Sequence, residues 1–237
     1  CRFLTRSSLT PDVLRGNKAV WWSAIVLVVL QLIYSYAPFM NALFDSRPLS
    51  LLSWAIPIGV SVGILVYRSP AGSAIATALS STILTIPSFA LLGLLIPIVG
   101  LGVAPTVIAL TLYSLLPIIR NTIVGLGAVD PAVTDAAKGI GMNRMLVLAR
   151  VELPLAWPSI LTGMRVATQM AMGILAIAAY AKGPGLGNLI FSGLSRVGSP
   201  TAASQALTGT LLIVILALIL DGIYVIIGRL TTSKGIR

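Results

Sequence analysis

The side chains that carry most enzyme chemistry are nearly missing from this chain. Its 237 residues include no histidine and one cysteine. Zinc sites of the usual kinds draw on His and Cys, and nucleophilic triads pair Ser or Cys with His. Neither can be assembled here, and one cysteine makes no intrachain disulfide. The glycine-rich run Ala181-Lys182-Gly183-Pro184-Gly185 has the wrong order for the phosphate-binding G-x-x-x-x-G-K-[ST] loop. The expectation is a chain with no catalytic residues, no metal and no cofactor of its own, driven by a partner or an ion gradient. One acid, Asp221, stands well inside a long apolar stretch. Acids near a membrane midplane mark proton-coupled carriers, but Asp221 has no histidine and no second buried acid to relay to. A structural or interfacial role is expected for it.

Those sparse polar groups must be positioned by apolar helices. Hydrophobic residues make up 57% of the chain and charged ones 9%, against about 25% charged in soluble domains. The charge-free intervals are 19–44, 48–67, 69–119, 166–181 and 197–220, and about 20 apolar residues cross a bilayer as a helix. The third interval is too long for one span and is divided at Gly100-Leu101-Gly102-Val103-Ala104-Pro105. The reading is an all-α integral membrane protein with about six spans, near 19–37, 49–67, 76–99, 104–120, 160–181 and 206–228. The fifth interval is short, so Arg165 or Lys182 must snorkel or the span must be buried among its neighbours.

Six spans place both termini on one side. With that side inside, the inner face takes Arg2, Arg6, Arg15, Lys18, Arg68, Arg120, Lys138, Arg144, Arg150, Arg165, Arg229, Lys234 and Arg237, and the outer face keeps Arg47, Lys182 and Arg196. Thirteen against three is a positive-inside bias. Trp21 and Trp22 at one interface and Tyr34 and Tyr36 at the other fit an aromatic belt. The net charge of +10 is thereby explained without nucleic acid. Cys1, where a start Met would stand, points to processing or truncation. A lipid-modified cysteine would need an external N-terminus, against the charge bias.

The longest polar connection, residues 121–159, falls on the inner side and reads as structured. Asp130-Pro131 places an N-cap residue before Pro at the first helical position. Gly139 and Gly141 break that helix, Asn143 can cap a second one, and Pro154 is expected to end it. Ile140, Met142, Met145 and Leu148 supply apolar knobs among Lys and Arg residues, while Ala136, Ala137 and Gly141 let another backbone approach closely.

Asp135-Ala136-Ala137, three residues, Gly141, nine residues, then Val151-Glu152-Leu153-Pro154 resembles the E-A-A-x3-G-x9-I-x-L-P loop of ABC-importer permeases, with Asp135 for Glu and Val151 for Ile. That resemblance implies that the loop, including Met142, docks as a short helix-turn-helix in a groove of an ATPase subunit. The runs Thr85-Ile86-Pro87-Ser88-Phe89-Ala90-Leu91-Leu92-Gly93, Leu112-Tyr113-Ser114-Leu115-Leu116-Pro117-Ile118-Ile119-Arg120-Asn121-Thr122, Val129-Asp130-Pro131 and Gly183-Pro184-Gly185-Leu186-Gly187 are similar to permeases for osmoprotectants such as glycine betaine, choline and carnitine. The resemblance implies a MetI-like ABC permease core over 49–230, containing the coupling loop 121–159. Residues 1–48 carry an extra N-terminal helix and a short outer loop, and 231–237 form a cytoplasmic tail.

By the same resemblance the chain is a non-catalytic transport subunit in the bacterial cytoplasmic (inner) membrane, with N- and C-termini inside. Its partners are cytoplasmic ABC ATPase subunits that bind ATP and Mg, a second permease subunit (identical or homologous), an extracytoplasmic solute-binding protein meeting outer loops such as 182–200, and the lipid bilayer. A permease for an amino acid or another small solute, or an ion-coupled secondary transporter, is the alternative. A quaternary ammonium solute is drawn to aromatic faces, so Ser88, Phe89, Tyr113, Thr168 and Gln169, with Ser114 and Tyr180, are candidates to line a path or to pack helices. Pro87, Pro97 and Pro117 can kink their helices. Gly59 and Gly63 form G-x-x-x-G, which serves packing within a chain as well as between chains.

Overall fold

The computed structural model describes residues 52–232, with side chains from Ala55 onward. The expected first span near 19–37, its flanking Trp and Tyr residues, Cys1, Arg2, Arg6, Arg15, Lys18, Arg47 and the tail from 233 lie outside the described residues. The elements are α1 (Leu52–Val66), α2 (Pro70–Thr85), α3 (Ser88–Val99), α4 (Val103–Gly127), α5 (Pro131–Gly139) and α6 (Arg144–Val147). A π-helical turn (Leu148–Glu152), α7 (Leu153–Ala178), a 3-10 turn (Ala179–Ala181), α8 (Gly187–Ser195) and α9 (Ala202–Thr231) complete them. Among the described residues there is no strand.

Three continuous helical stretches, Val103–Gly127, Arg144–Ala181 and Ala202–Thr231, are long and apolar enough to cross a membrane. The span expected at 76–99, which Pro87 can kink, is broken there: α2 and α3 meet at an angle of 89°. The cause lies at Ile86-Pro87. Pro87 has no N–H to continue the helix, and the residue before a proline is pushed to extended backbone, as Ile86 is with ψ 124°. The carbonyl of Ile86 is taken by the Tyr113 hydroxyl. Pro97 and Pro117, by contrast, sit inside the uninterrupted helices α3 and α4. The span expected at 49–67 appears as the 15-residue α1, about 22 Å long.

The turn expected around residues 100–105 is present, with Gly100 and Gly102 at φ 80° and 114°. The span boundaries beside the long polar connection move. α4 continues to Gly127 and α7 begins at Leu153, so the expected loop 121–159 narrows to 128–152. Pro154 does not end a helix; it lies within the continuous helical stretch Arg144–Ala181, directly after the π turn.

α4 is the central element, packed most extensively on α7 and then on α1. The approach is close because glycines face it. A Cβ on Gly59 would lie 2.7 Å from Ile118, and one on Gly63 would lie 2.6 Å from Thr122. The G-x-x-x-G pair therefore joins two helices of one chain. Gly125 and Gly163 bring α4 and α7 together in the same way, each with a hypothetical Cβ 2.7 Å from Ser159 or Asn121.

Two apolar clusters fill the interior. One, around Leu92, Leu110, Tyr113 and Ile174, joins α3, α4 and α7 near the α2–α3 bend. The other, around Ile118, Trp157, Ile160 and Met164, joins α4 and α7 nearer the 128–152 connection. Trp157 Nε1 donates to Thr231 Oγ1 at 2.7 Å, tying the start of α7 to the end of α9. Most of α9 stays outside these clusters, and Leu207, Leu211, Leu218 and Ile226 project from it exposed. Lipid or another subunit is what covers such a surface.

Candidate functional site

The connection between α4 and α7 builds a compact protrusion from local signals. Asp130 caps α5 by accepting from the Ala132 N–H at 2.8 Å, with Pro131 at the first helical position. Asn143 caps α6 in the same manner through the Leu146 N–H at 2.8 Å. Between them the chain reverses at Gly141, whose φ is +89°. The Gly141 N–H reaches the Lys138 carbonyl at 2.9 Å and the Met142 N–H reaches the Ala137 carbonyl at 3.2 Å. This pair of bonds is a Schellman cap, which requires a left-handed residue at the position Gly141 occupies.

The protrusion has an inward and an outward side. Ala137 and Val147 are buried toward the body, and Leu148 and Leu153 pack against the cluster around Trp157. Val133, Ile140 and Met145 point outward, the last two exposed at 70% and 73%. Asp135, Ala136, Lys138, Gly141, Arg144 and Arg150 are also exposed, while Met142, Val151 and Pro154 are half-buried. Of the four expected knobs, Ile140 and Met145 are the prominent ones. Asp135 pairs with Lys138 one turn on, at 2.9 Å, both well exposed, and such a pair contributes little. The outcome is an apolar ridge rimmed by cations and held in shape by caps.

Glu152 lies at the neck of the protrusion and was not singled out from the sequence. It is 6% exposed and receives the Tyr67 hydroxyl at 2.6 Å and Arg68 Nη2 at 3.0 and 3.1 Å. Burial opposes the charge on Arg68, but its bonds to Tyr67 and Glu152 outweigh that and hold its pKa above the ordinary value. Nothing in the sequence neighbourhood of Glu152 marks it, since Arg150 two positions earlier already offers a cation and the actual partners lie 84 and 85 positions away.

The candidate path residues fall into two separate groups. Ser88, Phe89 and Tyr113 gather at the α2–α3 bend. The Phe89 ring is 4.4 Å from that of Tyr180, and Tyr180 lies 6.4 Å from Phe191. Tyr113 is buried at 4% exposure, occupied with the Ile86 carbonyl, and Ser114 is turned onto the Leu110 carbonyl at 2.7 Å. Thr168 and Gln169 belong to the second group, about 18 Å from Tyr180 along the continuous helical stretch Arg144–Ala181. They face α9, where Thr168 meets the Tyr224 hydroxyl at 2.9 Å and Gln169 Nε2 donates to Asp221 at 2.6 Å. Among the described residues no cluster of His, Cys, Asp and Glu is placed to hold a metal ion.

The family described as "Binding-protein-dependent transport system inner membrane component" matches residues 55–233. A second family, "Cation transporting ATPase, C-terminus", matches residues 1–69, under a third of the chain and mostly outside the described residues. The osmoprotectant import permease protein OsmW of Salmonella typhimurium is 42% identical over 77% of this chain and 86% of its own length. The glycine betaine/carnitine/choline transport system permease protein OpuCB of Bacillus subtilis is 34% identical, covering 77% of this chain and 82% of that one. Among solved structures, an inward-facing MetNI methionine ABC transporter chain superposes with a TM-score of 0.65 over 95% of this chain and 100% of its own, at 21% identity. At that identity the likeness speaks for the fold alone.

Proposed function

The chain belongs to the family of binding-protein-dependent transport system inner membrane components, and from that premise we propose that it passes a compatible solute of the glycine betaine, choline or carnitine class through the membrane of an ATP-driven importer. The solute class is supported by the relatives named above, which are permeases for such compounds. The observation that carries the coupling is the capped protrusion with Ile140 and Met145 exposed. Its apolar ridge between Lys138, Arg144 and Arg150 is a plug for a cytoplasmic ATPase subunit, which binds the ATP and Mg.

In this reading two permease subunits, identical or homologous, enclose one pathway. Closure of the ATPases on ATP draws the two protrusions together and tips the helices to face outward. A loaded solute-binding protein meets the outer loops, 182–200 among them, and hydrolysis resets the complex. The equilibrium shifts because the closed ATPases contact the two states differently, which any ligand-driven shift requires. The chain contributes no catalytic group. The charge bias supports N- and C-termini inside, and Arg68, Lys138, Arg144 and Arg150 sit at the protrusion end. Arg165, counted with the inner charges, instead lies within α7, paired with Asp221.

Uptake of labelled glycine betaine, choline and carnitine, with a labelled amino acid as comparator, tests this in cells lacking other uptake systems. Accumulation of at least one of the three should need both this chain and its ATPase. Accumulation undiminished without the ATPase would overturn the mechanism, and uptake of the amino acid alone would overturn the solute class.

A further inference from the structure

The protrusion meets the membrane body at a neck that is mechanically weak by construction. Residues Leu148–Glu152 form a π-helical turn, in which the Leu153 N–H reaches back to the Leu148 carbonyl. Pro154 and Pro158 follow within the first turns of α7, and neither has an N–H to give. Helices bend where π turns and prolines interrupt their hydrogen bonds. A push on α5 and α6 would therefore flex this neck before it moved α7.

Glu152 closes that turn, and its side chain is tied to a different helix. The Tyr67 hydroxyl donates to Oε2 at 2.6 Å, and Arg68 Nη2 donates to Oε1 at 3.0 Å and Oε2 at 3.1 Å. Arg68 Nε also donates to the Tyr67 oxygen, so the three groups form a closed ring of bonds. The guanidinium carbon lies 5.1 Å from the centre of the Tyr67 ring. Tyr67 and Arg68 directly follow α1, which is pinned to α4 by the contacts of Gly59 and Gly63. The softest point of the lever is thus fastened to a closely packed pair of helices. The exposed Asp135–Lys138 pair on α5 has no such link to the body.

We propose that Tyr67, Arg68 and Glu152 are a brace that stiffens the neck, so that displacement of α5 and α6 is delivered to the α1, α4 and α7 body instead of being absorbed by bending. The inference rests on the reading that the protrusion docks an ATPase. The three are positioning residues: they act on the lever and touch neither nucleotide nor solute. Deleting the carboxylate charge frees the neck while leaving Ile140, Met145 and the Gly141 cap as they are.

The test uses the whole complex, with ATPase and binding protein, in liposomes, and reads ATP hydrolysis and solute accumulation from the same vesicles. Glu152→Gln and Arg68→Met should assemble and hydrolyse ATP, but the solute moved per ATP should fall about tenfold, the scale of losing hydrogen bonds to a charged group. Arg68→Lys should restore part of the ratio. Tyr67→Phe, which deletes one hydroxyl, should lower it by a smaller factor, and that variant decides the matter if Glu152→Gln fails to assemble. An unchanged ratio, or transport and hydrolysis falling together in proportion, overturns the brace. If the unmodified complex itself shows no ATP-dependent accumulation, the reading of the protrusion fails, and the brace with it.

Discussion

Arg165 and Asp221 stand 56 positions apart in the chain and form a two-pronged ion pair between α7 and α9, with Nη2 2.6 Å from Oδ2 and Nε on Oδ1. Gln169, one turn further along α7, adds its amide to Oδ1, and the Thr168 and Tyr224 hydroxyls meet beside it. Within hydrocarbon, a polar group must find its partner inside the protein. The pair accounts for the short charge-free interval at 166–181: α7 continues through Arg165 because the charge is answered in place.

Removing one member of this pair leaves the other uncompensated, which costs more than removing both. Asp221→Asn and Arg165→Met should each lower the thermal unfolding temperature of the chain in lipid nanodiscs. Arg165→Met combined with Asp221→Leu should recover most of the loss. A double-mutant cycle measures it, and strictly additive losses would show that the two side chains act independently.

The α2–α3 bend makes a second case. Tyr113→Phe keeps the ring in its buried cluster but strips the Ile86 carbonyl of its donor. An unsatisfied buried acceptor costs about 1–3 kcal/mol, so the variant should unfold at a lower temperature. Spin labels on α2 and α3 should report a broader distance distribution across the 89° corner. An unchanged distribution would mean that Pro87 alone maintains the corner.

Two glycines of the same helical type should respond in opposite directions. Gly63→Val drives a Cβ to within 2.6 Å of Thr122 and should destabilise the α1–α4 contact by about 1–3 kcal/mol, the usual cost of overpacking. Gly93→Ala in α3 meets no atom within 4 Å and should stabilise by about 0.5–1 kcal/mol through helix propensity. Unfolding of both variants in detergent checks the contrast, and equal effects would refute the close-packing account.

What was legible in the sequence divides by distance along the chain. The caps at Asp130 and Asn143 and the reversal at Gly141 act on backbone groups two to four residues away, so residue type and spacing sufficed. The partners of Glu152, Tyr113 and Asp221 lie 84, 27 and 56 positions off, and only helix packing selects them. The spacing of Gly59 and Gly63 announced a close contact without saying with what, and α4 supplied the answer. Pro87 and Pro117 look alike in an apolar run, yet one ends a helix at a corner and the other sits inside α4. The tertiary neighbour decides: Ile86 gains the Tyr113 hydroxyl, whereas at Pro117 the helix runs on against α7, packed so closely that a Cβ added to Gly163 would lie 2.7 Å from the Pro117 carbonyl oxygen. Pro154 reads as a stop, yet the helix runs on through it after the π turn Leu148–Glu152, and a π turn has no marker of its own in residue types.

Gly141 allows the protrusion to be tested by shape rather than by charge. Its φ of +89° belongs to a region where an L side chain is strained by about 1–3 kcal/mol, although no neighbouring atom blocks a Cβ there. Gly141→Asn should be the mildest substitution, since Asn tolerates left-handed backbone. Gly141→Val should be the most damaging, because a β-branched residue is a genuine outlier at positive φ. The Schellman bonds from Gly141 and Met142 hold the angle between α5 and α6, so relieving the strain would splay Ile140 away from Met145 and spoil the ridge. Co-purification of the ATPase and solute uptake should fall together in the order Gly, Asn, Asp, Val, while the chain's own unfolding temperature changes little. If Gly141→Val retained both co-purification and uptake, the shape of this turn would have no part in docking.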